Sequence, residues 1–213
     1  MNGKKMKLDF PKRLEHLFSV ISETHFLEMK GLGNEIPFFI CPFDPPETDQ
    51  MEKLRKTLVT RLLQSGVQVL EIDLYDLSIE ILKGREIFDR ILTEEPSFSK
   101  EQLKELLQGI LDPELHLVPA IAAKIREKEI HGGFSLMFLS GVGEVFPYIR
   151  SHNVLNNLQK VAKEKPTVMF FPGAYTHSRE FGTSLELFGR LRDDKYYRAF
   201  NIYHCEPYSR KTR

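Results

Sequence analysis

Five short runs rich in β-branched and aromatic residues punctuate this chain: Pro37–Cys41 (PFFIC), Val67–Ile72 (VQVLEI), Phe134–Leu139 (FSLMFL), Thr167–Phe171 (TVMFF) and Phe200–His204 (FNIYH). They read as strands. Most of them lack the polar/apolar alternation of a half-exposed strand, so the sheet they build is expected to be covered on both faces. The segments between them supply the covers. Thr48–Ser65 sets Met51, Leu54, Leu58, Leu62 and Leu63 at three- and four-residue steps, and Gly66 follows as a C-terminal stop. Asp44-Pro45-Pro46-Glu47 before it combines a turn with acids at the positive end of the helix dipole. The first two strands and this helix form a β–α–β unit with an expected right-handed crossover.

Residues 74–130 are expected to be wholly helical. Leu77, Ile81, Leu82, Ile87, Phe88 and Ile91 predict two helices over Leu74–Leu92, interrupted near Gly84. Ser99 with Gln102 matches a capping box opening a helix over Lys100–Leu111. Asp112-Pro113 places a cap and a first-turn proline at the start of another, running to about Glu129. Asn153–Lys163 and Ser184–Gly189 read as short helices, and Asp193–Ala199 as a third. The expected fold is α/β, a mostly parallel five-stranded sheet, Rossmann-like or degenerate P-loop-like, with an all-helical insertion between strands 2 and 3. At 213 residues with 41% hydrophobic and 28% charged, one domain over 11–207 with tails at 1–10 and 208–213 suffices.

Exclusions narrow the chemistry. Cys41 and Cys205 are too few and too far apart for a disulfide framework or a cysteine zinc site, which suits a reducing compartment. No apolar h-region follows Lys4, Lys5 and Lys7, and no run of about 18 apolar residues occurs, so a cytoplasmic protein without a membrane partner is expected. Neither G-x-x-x-x-G-K-[ST] nor G-x-G-x-x-G is present. The loop after the first strand, Cys41 to Pro46, spends three positions on prolines that lack the N–H donors of a phosphate cradle. No cofactor is expected. Glu71 and Asp73 end the second strand where a ribose-binding acid would stand; without the glycine fingerprint, a helix cap or solvated edge is the favoured reading.

In an α/β sheet ligands sit beyond the carboxyl ends of the strands, so the loops there are where reactive residues matter. After the third strand, Glu144, Arg150, His152 and Asn153 lie within ten residues. Glu144 or His152 could serve as a general base with Arg150 on an anion. Alternatively, Glu144 is a helix acid partnered by Arg150, and His152 or Asn153 caps the next helix. The second reading is favoured, since no nucleophile with an activating partner accompanies them. After the fourth strand Tyr175 and His177 reach the same edge, where His177 could pair with His152 or Glu144; the histidine spacings support no metal. Arg190, Arg192, Tyr196, Tyr197 and Arg198 interleave bases with aromatics, a mixture suited to nucleic acid or to a protein partner. Asp193 and Asp194 among them favour the protein. The net charge is zero with thirty basic and thirty acidic residues, but residues 1–144 hold 18 basic and 24 acidic side chains and residues 145–213 hold 12 and 6. The basic C-terminal third is therefore the expected contact surface.

Several runs go further. Gly31-Leu-Gly-Asn-Glu-Ile-Pro-Phe38, Val69-Leu-Glu-Ile-Asp-Leu-Tyr-Asp-Leu77, Ser140-Gly-Val-Gly-Glu-Val-Phe-Pro-Tyr-Ile-Arg-Ser-His-Asn-Val-Leu-Asn-Asn-Leu158, Lys165-Pro-Thr-Val-Met-Phe-Phe-Pro-Gly-Ala-Tyr-Thr176 and Leu187-Phe-Gly-Arg-Leu-Arg-Asp-Asp-Lys-Tyr-Tyr-Arg-Ala-Phe-Asn-Ile202 resemble the BrxB family, from about residue 10 to 207. That family is a small component of the BREX bacteriophage-defence systems. The resemblance implies a partner among the other BREX proteins, first the alkaline-phosphatase-like PglZ, then a DNA methyltransferase or a large ATPase. It supplies no catalytic residues. Together these features point to a non-catalytic adaptor or assembly component. The alternative is a nucleic-acid-binding or metal-dependent hydrolytic subunit of the same system.

Overall fold

The computed structural model describes residues 9–29, 37–178, 182–193 and 199–207, with the backbone alone at 177–178, 182–183 and 192–193. Five parallel strands form its centre: β1 (Phe38–Phe43), β2 (Val69–Asp73), β3 (Leu136–Ser140), β4 (Thr167–Ser178) and, after two strands introduced below, β7 (Phe200–Asn201), side by side in the order β2-β3-β4-β1-β7. The parallel α/β expectation holds. The order is neither the 3-2-1-4-5-6 of dinucleotide-binding folds nor the 2-1-3-4-5 of the other common doubly wound sheet.

Both faces of the sheet are covered, which is why its strands read as apolar runs. Along β1, Phe38 and Ile40 point into one core while Phe39, Cys41 and Phe43 point into the other. The second core is closed by α1 (Phe10–Ile21), the single turn α2 (Thr24–Leu27) and α3 (Thr48–Gln64), which buries Met51, Leu54, Leu58 and Leu62. Gly66, at φ +85°, ends α3 in the left-handed conformation that glycine adopts without a Cβ clash. Arg61 of α3 holds Glu15 of α1, and its guanidinium lies 4.3 Å from the Phe18 ring centroid.

The other core lies under α4 (Leu74–Gly84), α7 (Val118–Ile130) and α8 (Ser151–Leu158). Between α4 and α7 run α5 (Phe88–Glu94) and α6 (Lys100–Ile110), neither of which has a fully buried residue. The expected cap chemistry is present. Ser99 and Gln102 form a reciprocal capping box, and Asp112 accepts the N–H groups of Glu114 and Leu115. Pro113–Leu117 makes a π-helical turn before α7 begins at Val118.

The main departure lies after Phe171. Instead of ending at Phe171, β4 runs on to Ser178 and pairs antiparallel with β5 (Gly182–Leu187), which pairs with β6 (Leu191–Asp193). Thus Ser184–Gly189, expected to be helical, is a strand and its turn, and the sheet gains two antiparallel strands. A Cβ at Gly173 would lie 2.1 Å from the Glu186 carbonyl oxygen, so this glycine permits a close backbone approach. The helix expected over Asp193–Ala199 falls mostly outside the described residues, and Asp193 ends β6. Ile202–His204, expected to finish a strand, is a 3-10 turn. No helix among the described residues is long and apolar enough to cross a membrane.

Candidate functional site

The chain leaves β1 through α3 on one face and reaches the neighbouring β4 through α8 on the other, so the connections around this pair take opposite sides of the sheet. A crevice opens at the carboxyl ends of the strands there, as it does in open α/β sheets generally. It is a cavity of ≈ 470 Å³ bounded by the first turns of α3, the end of β4 and the loops after β2 and β3.

Asp73 organises its floor. One carboxylate oxygen accepts the backbone N–H of Tyr75 (2.9 Å) and Asp76 (3.2 Å), capping α4, and the other accepts the Ser140 hydroxyl at 2.8 Å. The cap reading of Asp73 therefore holds, and the same carboxylate ties the end of β2 to the end of β3. Gly141, at φ +73°, has no room for a side chain: a Cβ there would lie 2.5 Å from an Asp73 oxygen. Glu71, on the outer side of β2, pairs with Arg55 of α3, which also bonds Glu52 through Nε (3.0 Å) and Nη2 (2.8 Å).

Asp49, Glu52, Asp73, Asp76 and Glu144 line the crevice, and Arg55 is the single lining cation among the described residues. Desolvation, then the charges of Asp73, Glu52 and Asp76, push the Glu144 carboxyl above its ordinary range. Glu144 thus sits in an acidic field. No group of three or more metal-ligating side chains is gathered among the described residues.

A second depression, ≈ 280 Å³, lies between the β5–β6 hairpin and the segment leading into α8. Leu185 and Leu187 form its floor, Phe146 and Leu191 its apolar walls, and Arg150 and Arg190 its charged ones. A ridge divides it from the crevice: the Phe146 and Phe188 rings meet edge to face with centroids 6.2 Å apart, Phe146 facing the groove and Phe188 the crevice. The hairpin turn has positive φ at both central residues, Phe188 (+56°) and Gly189 (+66°), closed by Arg190 N–H to Leu187 O at 3.1 Å. Such turns favour Asn or Gly at the first position, and an aromatic there is strained.

The loop-edge residues separate. Glu144 lines the crevice and Arg150 the groove, so the expected Glu144–Arg150 pairing is absent among the described residues. His152 and Asn153 do not cap α8. Arg150 is the cap residue, without a side-chain cap bond; His152 is buried at 1% exposure in the first turn, and the Asn153 carbonyl accepts Asn157 Nδ2 at 3.0 Å. Buried histidine is poorly placed to act as a base at a solvent-facing edge. Tyr175 is also buried, and its hydroxyl donates to the Ala199 carbonyl at 2.5 Å; burial lifts its pKa to about 12. His177 lies in the β4 extension opposite Thr183, its side chain outside the described set. Arg190 is exposed at the hairpin turn, Arg192 is described by backbone only, and Tyr196, Tyr197 and Arg198 lie outside the described residues.

Sequence reasoning missed Asp49, Glu52, Arg55 and Asp76 of the crevice, and Phe188 and Leu191 of the hairpin. Glu52 and Arg55 at i,i+3 on α3 were a readable pair. Phe188-Gly189 carried a turn glycine, but only strand pairing shows that an aromatic occupies the tip.

Fold and site define a parallel α/β protein with an acidic crevice at its strand ends and a basic, apolar hairpin groove beside it. No solved structure matches it. The family model for BREX protein BrxB matches residues 70–202. A BREX protein BrxB from Bacillus cereus (strain H3081.97) is 36% identical over 196 residues, covering 90% of this chain and 96% of the relative. Another from Escherichia coli O9:H4 (strain HS) is 32% identical over 190 residues, 89% of this chain and 90% of the relative. The chain belongs to the BrxB family.

Proposed function

We propose that the chain is a non-catalytic adaptor in a BREX bacteriophage-defence complex, with PglZ its first partner and the methyltransferase or large ATPase next. The observation that carries this reading is the β5–β6 hairpin. It leaves Phe188 37% and Leu191 43% exposed beside the exposed Arg190, and aromatic residues and arginine concentrate binding energy at protein interfaces. The engagement of the crevice carboxylates favours the same reading. Asp73 caps a helix and Glu52 holds Arg55, which commits two of the five crevice carboxylates to structure.

Co-expression with each BREX component followed by size-exclusion chromatography tests the adaptor. Co-elution with PglZ or another component is expected; no co-elution, together with defence that persists without the chain's partners, overturns it. A second reading, a nucleic-acid-binding or metal-dependent hydrolytic subunit, draws on Glu144 in its acidic field. It predicts that Glu144→Ala abolishes phage restriction, and unchanged restriction with the fold intact removes it.

A further inference from the structure

We infer that the groove between the β5–β6 hairpin and the segment entering α8 receives an acidic segment of a partner protein anchored by a leucine or aromatic side chain. The inference rests on the adaptor reading and assigns its surface and chemistry.

Charge complementarity fixes the sign of the occupant. Arg13, Arg55, Arg61 and Arg90 each hold a carboxylate within the chain. The guanidiniums of Arg150 and Arg190, on the charged walls of the groove, have no ion pair or hydrogen bond among the described residues. Two uncommitted guanidiniums over one depression present forked donors suited to carboxylates. The floor decides the rest. Leu185 and Leu187 are buried beneath, but Leu191 is 43% exposed and Phe146 half-buried beside the arginines, so an occupant that is only anionic would leave this apolar surface wet.

The same features disfavour a nucleic acid. A duplex spanning the groove would meet the crevice acids, Asp49, Glu52, Asp73, Asp76 and Glu144, just beyond the Phe146–Phe188 ridge. A short peptide seated between the arginines avoids them. β6 has β5 as its single strand partner among the described residues, and an extended peptide can add to a strand edge through main-chain bonds.

The test is selection of a random phage-displayed peptide library on the full chain, counter-selected on an Arg150→Ser/Arg190→Ser variant. The expected peptides combine Asp or Glu with Leu, Ile or Phe. A selected peptide, synthesised with a fluorescein label, should bind the full chain with an anisotropy change that weakens in high salt. Arg150→Ser and Arg190→Ser should each weaken it about tenfold. Leu191→Ser, at an exposed position of the groove wall, should weaken it while the unfolding midpoint is retained. Selection of basic peptides, no enrichment over the double variant, or displacement of the peptide by a duplex oligonucleotide would overturn the inference. If BREX components still co-elute while no acidic peptide is selected, the groove assignment falls and the adaptor reading stands. If acidic peptides bind the groove but no component co-elutes, the adaptor reading falls instead.

Discussion

Gly141 and Gly66 both take positive φ, yet their surroundings differ. A Cβ at Gly66 meets nothing within 4 Å, whereas one at Gly141 meets Asp73 Oδ1 at 2.5 Å and the Tyr75 nitrogen at 2.9 Å. Gly66→Ala should therefore cost roughly 1 kcal/mol of backbone strain. Gly141→Ala should cost at least about 2 kcal/mol, because the cap of α4 must also shift. Urea denaturation of the two variants measures the difference, and equal losses would show that Asp73 yields freely. Cys41 is wholly buried, and burial pushes its thiol up to about 12 against the opposing pull of Tyr203 and Arg13. Native protein should react with one equivalent of a disulfide reagent, at Cys205, and release the second only on unfolding. Prompt reaction of both thiols would contradict the burial of β1. Glu144 gives a pH signature. Its folded pKa is raised, so the fold binds its proton more tightly than the unfolded chain does, and ionisation subtracts stability as pH climbs from the ordinary carboxylate range toward the raised value. Glu144→Gln should exceed the parent near pH 7 by less than about 1 kcal/mol, because the site is solvent-screened, and should lose that advantage in acid below the ordinary carboxylate range. A gap independent of pH would place the effect elsewhere.

At the scale of elements, the hairpin is held to the body by its inward side chains. Leu185 is 1% and Leu187 7% exposed, and both belong to the core under α4, α7 and α8. Leu185→Ala should cost about 2–4 kcal/mol, since a fully buried leucine leaves a cavity. Chemical denaturation with a hairpin-resident fluorophore would report it, and a loss within experimental error would mean that the hairpin is detached in solution. The hairpin departs from the expected helix over Ser184–Gly189 for a physical reason. Leu185 and Leu187 alternate about Glu186 over too few residues to separate a strand from a helical turn. What decides is pairing with 173–178, and that depends on Gly173 admitting the Glu186 carbonyl. By contrast, α3, α4, α6 and the Asp112 cap were legible because their signals are local: apolar spacing, a stop glycine and side-chain caps within four residues.

For the molecule as a whole, stability should be uneven. The strands β1, β3 and β4 have both faces buried, while α5 and α6 bury no residue fully. Amide hydrogen exchange should show residues 88–110 opening at far lower free energy than β3. Equal protection would require the excursion to be covered by something else. The charge split along the chain also takes a spatial form: an acidic crevice fed by α3, α4 and the loop after β3, beside a groove whose arginines come from the C-terminal third. The candidate site was only partly legible. Arg150, Arg190 and Glu144 were picked out by type, but the two arginines come from segments forty residues apart and Glu144 faces the other side of the ridge.

The sequence alone determined the class of fold, the double-sided burial of its strands and the family, because period, caps and long specific runs are properties of neighbouring residues. The tertiary structure alone decided the strand order, the continuation of β4 into a hairpin, the burial of His152 and Tyr175, and the meeting of Arg150 with Arg190. Those depend on which distant segments pair and which side of a wall each side chain faces, and no local spacing encodes either.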